Sequence, residues 1–143
     1  MVITQPYITF NGNCEEAMNF YKSALGGEIT YCSKYKDCPP SEEMPVPDAL
    51  KEKVMHANLT INEHYQIMCA DYCKMPGMPD FVLGTNTAIS IIAESEQECH
   101  RIYEQLSAGG VVQCPIGEPF WGGLFAMWAD KYGVNWYVTF HKR

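Results

Sequence analysis

YITFNGNCEEAMNFYKSALGG, residues 7–27, decides the fold once its echo is found downstream. YITF (7–10) is a short run of aromatic and β-branched residues suited to a strand. Asn13 and Glu16 then stand at capping-box spacing, an acceptor for a free amide three residues on and a carboxylate that can reach back. Ala17, Phe20, Tyr21, Ala24 and Leu25 recur at helical period, and Gly26-Gly27 ends the run, because glycine takes the left-handed turn without steric cost. The spacing predicts a helix over 13–25. The same order returns in AISIIAESEQECHRIYEQLSAGG, residues 88–110. There AISII (88–92) leads to Ser95 and Glu98, then to Cys99, Ile102, Tyr103 and Leu106, and then to Gly109-Gly110. A second helix is predicted over 95–108, with Phe20/Ile102 and Tyr21/Tyr103 as matched stripe positions. The chain is an internal repeat of about 82 residues, the kind of signal that fixes an architecture before any single element does.

The segments after the two glycine pairs match as well. EITYCSKY (28–35) and VVQCPI (111–116) read as strands, as do VMHANLTI (54–61) and LFAMWA (124–129). After short polar turns come YQIMCAD (65–71) and VNWYVTF (134–140). Each half is therefore strand, helix, strand, strand, strand. The expectation is an α+β fold of two tandem βαβββ modules, with eight strands in two four-stranded sheets and the helices on their outer faces. Residues 37–53 hold four prolines and Glu42-Glu43 and read as a long loop; residues 72–86, with Pro76, Gly77, Pro79 and Gly84, read as a connection. The expected organisation is a single domain over 1–143, made of a first module (1–72), a linker (73–86) and a second module (87–143).

A chain of 143 residues and 16.2 kDa is one domain in size, and with 47% hydrophobic residues it can bury a core without disulfide staples. A net charge of −7, with basic residues scattered singly apart from Lys142-Arg143, argues against nucleic acid or an anionic membrane as partner. Seven cysteines at irregular spacing, with no CxxC, write neither a disulfide framework nor a zinc ribbon. A reducing compartment suits them. The start MVITQPYITF lacks the basic and apolar regions of a signal peptide, and no apolar run approaches the ~18 residues of a membrane span. The expected location is the cytoplasm.

Two such modules, with YITFNGNCEEAMNFY at the start, MHANL in the middle and PFWGGLFAMWADKYGVNWYV at the end, resemble the PhnB-like branch of the vicinal oxygen chelate superfamily. That superfamily includes glyoxalase I, extradiol dioxygenases and the bleomycin and fosfomycin resistance proteins. The resemblance spans essentially the whole chain. It implies a glyoxalase/bleomycin resistance-like fold, curved mixed sheets around a cleft between modules, a small-molecule ligand and a homodimer. Members are often filed as a demethylubiquinone methyltransferase. The glycine pairs here follow helices, whereas a turn that cradles a nucleotide-like methyl donor runs from strand into helix.

Strand alternation selects the side chains that can face such a cleft. In VMHANLTI, Met55, Ala57, Leu59 and Ile61 form one apolar face for the helix layer, which leaves His56, Asn58 and Thr60 on the other. His56 is thus a candidate base or metal ligand, since an imidazole titrates near neutrality and carries a nitrogen lone pair; a half-buried histidine bonded to a neighbour is the plainer alternative. Metal-dependent relatives draw histidine or glutamate from the first and last strand of each module. These strands offer instead Tyr7, Thr9, Phe10, Met68, Cys69, Asp71, Ser90, Tyr137 and Thr139. No glyoxalase-type metal site is expected, and no cofactor is certain, although a divalent metal stays open. Cys69-x-Asp71-x-Cys73 has the alternation of a metal site, but cysteine is among the most buried residue types, and core is the better reading.

Aromatic residues gather in the last third: Phe120, Trp121, Phe125, Trp128, Tyr132, Trp136 and Tyr137. Pockets for organic ligands are mostly apolar with a few oriented polar groups. Trp136 reads as core, Trp121, between Pro119 and Gly122-Gly123, as pocket wall, and Asp130 as organiser of the turn to Gly133. The expected ligand-binding set is Thr9, His56, Asn58, Met68, Ser90, Trp121 and Trp128, with His56 as the catalytic candidate. Two functions fit. One is metal-free binding of a small organic ligand, as in the drug-resistance relatives, where an acidic chain suits a cationic molecule such as bleomycin. The other is a metal-dependent lyase, isomerase or dioxygenase-like enzyme that uses His56.

Overall fold

The computed structural model describes residues 1–39 and 45–142. The chain divides into two compact units, Met1–Val82 and Leu83–Arg143, each a βαβββ module. In the first, β1 (Tyr7–Phe10) leads into α1 (Cys14–Leu25), then β2 (Glu28–Lys34), β3 (Val54–Thr60) and β4 (Gln66–Asp71). The second runs through β5 (Ile89–Ala93), α2 (Glu96–Ser107), β6 (Val111–Gly117), β7 (Leu124–Ala129) and β8 (Asn135–Phe140). Each unit holds one four-stranded sheet, in the order β1-β4-β3-β2 and β5-β8-β7-β6. In both, the first and last strands pair in parallel and the other pairs are antiparallel. Both expected helices and all eight expected strands form, within a residue or so of their predicted ends. Glu42 and Glu43, in the loop expected over 37–53, lie outside the described residues; Asp48–Leu50, nearer its end, is a single tight helical turn. Among the described residues no helix is long and apolar enough to cross a membrane.

One face of each sheet is covered by its helix. Cys14, Ala17, Met18, Tyr21 and Ala24 of α1 are buried with Phe10, Val54, Ala57, Leu59, Ile67 and Cys69; Cys99, Ile102 and Leu106 of α2 are buried with Ala93, Ala126, Trp128, Trp136 and Val138. The matched stripe is not kept position for position. Tyr21 is fully buried while Tyr103 is half-buried, and Phe20 is half-buried while Ile102 is in the core. Tyr21, on α1, and Trp128, on β7, are among the largest fully buried side chains, so the helix supplies one and the sheet the other.

The capping prediction holds at one helix only. Ser95 accepts from the Glu98 amide at 3.1 Å, but Asn13 makes no side-chain cap bond. The start of α1 is held from β4 through different amides: Asp71 Oδ1 accepts from the Gly12 and Cys14 amides, both at 3.0 Å, and Oδ2 accepts from the Val54 amide at 2.9 Å. A carboxylate beside the first free amides of a helix meets their unsatisfied donors and the positive end of the helix dipole together. The loop before α1 and the start of β3 are thereby fastened to the end of β4.

The glycine pairs act by close approach as much as by turning. A Cβ built on Gly27 would lie 2.2 Å from the Thr60 carbonyl oxygen, and one on Gly110 2.2 Å from that of Ala129. Both chains therefore leave their helix pressed against the end of the neighbouring strand, β3 or β7. The β7–β8 turn forms as expected. Asp130 accepts from the Tyr132 and Val134 amides and its backbone oxygen from Gly133, while its second carboxylate oxygen takes the Trp136 indole N–H at 2.9 Å. Asn62 does the same work at the β3–β4 turn, accepting from the His64 and Tyr65 amides.

Candidate functional site

Side chains opposite the helix-covered face are what each sheet can offer a ligand. In the first unit the strand order carries one row across the sheet, because Tyr7 pairs with Met68, Met68 with Asn58, and Asn58 with Tyr31, and cross-strand partners share a face. His56 stands two residues from Asn58 on the same face. The alternation that placed it there is broken at the start of β3, where Val54 is buried and Met55 only half-buried, opposite a register shift at Ser33/Lys34. From Ala57 onward it runs as expected. Met55 is not part of the helix-facing row; its sulfur meets the Cys38 thiol.

His56 is half-buried and both ring nitrogens are engaged. Nε2 lies 2.8 Å from Asn58 Oδ1, and Nδ1 lies 3.1 Å from the Tyr7 hydroxyl. Its ring also packs against Tyr7 and Tyr31, with centroids 5.5 and 5.9 Å away. Both tyrosines are 50% exposed, so the histidine is framed by two aromatic rings that themselves remain reachable. Thr9 lies on β1 on the same side as Tyr7 and is exposed; Met68 is half-buried between Tyr7 and Asn58. Thr9, His56, Asn58 and Met68 are thus brought to one face. Tyr7 and Tyr31 join them as residues the sequence reasoning left out. The signal for Tyr7 was present, since it alternates with Ile8 as Thr9 does. The parallel seating of β1 beside β4 was not.

In the second unit Ser90 is exposed on β5 and pairs with Tyr137. From Tyr137 an edge-to-face chain of rings runs through Phe125 and Trp121 to Phe120, at centroid spacings of 5.8, 5.9 and 4.8 Å. Trp121 is 55% exposed. Trp128, expected with this group, is not in it. It is fully buried, edge-on to Tyr103 of α2, and pairs with Trp136 across β7 and β8, so the two tryptophans must share the helix-covered face. Given that pairing, Trp136 in the core places Trp128 in the core as well.

The remaining candidates are structural. Cys69, Asp71 and Cys73 are all buried, and both Asp71 oxygens are taken by backbone amides. The Cys14 thiol is pushed up by its hydrogen bond to Cys69 and by burial, which keeps it protonated and unreactive. A metal of the glyoxalase type does not fit the open face of the first sheet. Its donors are a doubly engaged imidazole, a phenol, an amide, a threonine and a thioether, without a carboxylate to balance a divalent charge. Among the described residues no three histidine, cysteine, aspartate or glutamate side chains are grouped to hold a metal ion.

Two βαβββ units, each with one open sheet face, define an α+β protein of the glyoxalase/bleomycin resistance type. The comparisons agree. A family model described as 3-demethylubiquinone-9 3-methyltransferase matches residues 3–139. Protein PA1353 from Pseudomonas aeruginosa is 33% identical, with a TM-score of 0.85 over 100% of both chains. A putative 3-demethylubiquinone-9 3-methyltransferase, PhnB protein, from Bacillus cereus is 28% identical, with a TM-score of 0.77 over 98% of this chain and 100% of that one. At 13% identity and a TM-score of 0.65, a glyoxylase/bleomycin resistance protein/dioxygenase domain from Frankia sp. EAN1pec shares the fold over 99% of this chain and 98% of its own. The chain belongs to the 3-demethylubiquinone-9 3-methyltransferase family, the PhnB-like branch of the vicinal oxygen chelate superfamily.

Proposed function

We propose that this protein binds a small, partly aromatic organic ligand without a glyoxalase-type metal. The observation that carries this reading is the half-exposed row of Tyr7, His56 and Tyr31 on the face that α1 leaves uncovered. Aromatic walls with a few oriented polar groups are the ordinary composition of an organic-ligand site. Thr9, Asn58 and Met68 belong to the same face, while Ser90 and Trp121 are the corresponding candidates of the second unit.

Trp121 supplies the test. It is exposed while Trp128 and Trp136 are fully buried, so quenching of its fluorescence by small planar aromatic compounds reports contact with the second sheet's rings, and Trp121→Phe should remove the signal. His56→Ala tests the first sheet. Its loss should cost about 1 kcal/mol of stability, because the Tyr7 and Asn58 groups it releases can turn to water. Affinity measured by equilibrium dialysis should fall at least about tenfold, since the ring that orients the Tyr7 hydroxyl and the Asn58 amide in the site is removed. A variant that unfolds while ligand binding by the residual folded fraction is unchanged makes His56 a core residue and refutes the assignment.

The proposal includes a homodimer in the cytoplasm. Among the described residues, strands β1 and β2 of one sheet and β5 and β6 of the other have one neighbour each, and open edges are normally covered or paired. All seven thiols are unpaired, as a reducing compartment keeps them. Sedimentation at micromolar concentration should give twice the chain mass of 16.2 kDa; a monomer removes the dimer from the reading.

A further inference from the structure

With both ring nitrogens of His56 engaged, the imidazole is not the atom that meets a ligand. Asn58 Oδ1, 2.8 Å from Nε2, is an amide oxygen that only accepts, so the ring proton sits on Nε2. Nδ1 is then a lone pair, and the Tyr7 hydroxyl at 3.1 Å donates to it. Burial raises the Tyr7 phenol above its ordinary range, so it keeps the proton that it donates. A phenol that gives its hydrogen inward turns its oxygen lone pairs outward, and Tyr7 is half exposed. The chain of bonds runs from Asn58 through His56 to one accessible oxygen.

We propose that Tyr7 Oη, with His56 and Asn58 behind it as positioning residues, is an acceptor site for the hydroxyl of a phenol or enol. The proposal rests on the ligand-binding reading above and names the chemistry of that ligand. A phenolic oxygen alone is a weak base, but here it is coupled to an imidazole. As the ligand O–H bond breaks, its proton forms a new O–H bond at Tyr7, while the original Tyr7 proton passes to His56 Nδ1. The products are a ligand oxyanion and an imidazolium whose Nε2–H is still held by Asn58, so protons and charge balance and no other reactant is needed. Tyr31, its ring 5.9 Å from that of His56, offers an aromatic wall to the ring that bears the hydroxyl.

The test compares para-nitrophenol with para-nitroanisole, its methyl ether, which has the same ring and no proton to give. The wild-type protein should bind the phenol at least about tenfold more tightly, with the phenolate absorption band appearing on binding. Nitrogen NMR should show His56 as the Nε2–H tautomer when free and doubly protonated with the phenol bound. Tyr7→Phe should abolish the preference while the ether binds as before, and His56→Gln should weaken the preference and remove the phenolate band. An Nδ1–H tautomer in the free protein, or a preference that survives Tyr7→Phe, overturns the proposal. Equal binding of the two probes overturns it while the ligand-binding reading stands, and binding of neither overturns both.

Discussion

Asp71→Ala is expected to cost about 3–5 kcal/mol, from leaving two buried donors and a part-buried one without a partner at roughly 1–3 kcal/mol each, less what relaxation recovers. The side chain is almost fully buried, and it holds the Gly12 and Cys14 amides at the start of α1 together with the Val54 amide at the start of β3. Asn13, at the N-cap position, makes no side-chain cap bond that would share this load. The Tyr35 hydroxyl donates to the backbone oxygen of Asp71 at 2.7 Å, so the same point also anchors the segment after β2. Urea denaturation followed by circular dichroism measures the loss. Asp71→Asn keeps one acceptor oxygen and should fall between the wild type and alanine; an Asp71→Ala protein as stable as the wild type would show that water or a side chain takes over the three amides.

The second large effect is expected at the glycine that ends the exit from each helix. Gly27→Ala should destabilise by more than about 3 kcal/mol, since it combines a left-handed backbone with a direct collision. Its φ is +88°, and the added carbon would lie 2.2 Å from the Thr60 oxygen and 2.7 Å from the Ile61 Cα, both backbone atoms that cannot swing aside. The neighbouring glycines separate the two causes. Gly26 has φ +80° and nothing within 4 Å of an added carbon, so Gly26→Ala pays for conformation alone, about 1–3 kcal/mol. Gly110 has no left-handed φ but meets the Ala129 oxygen at 2.2 Å, so Gly110→Ala reports the collision alone. Thermal melts of the three variants should rank Gly27→Ala as the most damaging. If Gly26→Ala equalled it, the close approach of α1's exit to β3 would carry no energetic weight.

Much of the fold was legible because its signals are local. Capping residues, helical period and glycine stops act within one element, and their recurrence in the second half located both helices and the strands after them. The His56 and Asn58 face was legible for the same reason, since alternation is a property of the strand itself. The cap of α1 was not. Asn13 and Glu16 satisfy the local pattern, but Asn13 makes no side-chain cap bond, and a carboxylate 57 residues away, on β4, holds the Cys14 amide at the start of the helix. A sequence motif states which partner is near in the chain, and the fold decides which is near in space.

Trp128 and Tyr7 show the same division at the site. Alternation in LFAMWA put Ala126 and Trp128 on one side of β7, but which side faces α2 depends on the pairing of Trp128 with Trp136. Tyr7 became a partner of His56 only because β1 enters the sheet beside β4, parallel to it and two strands from β3, which carries His56. By itself the sequence determined the repeat, the elements, the covered face of β3 from Ala57 onward and the acidic, thiol-rich character of the chain, all of which come from near neighbours and composition. The tertiary structure alone decided strand order and register. Through them it decided that Asp71 caps α1, that Trp128 is core, and that Tyr7 and Tyr31 frame His56, because each of these contacts joins residues whose meeting is set by pairing between distant strands.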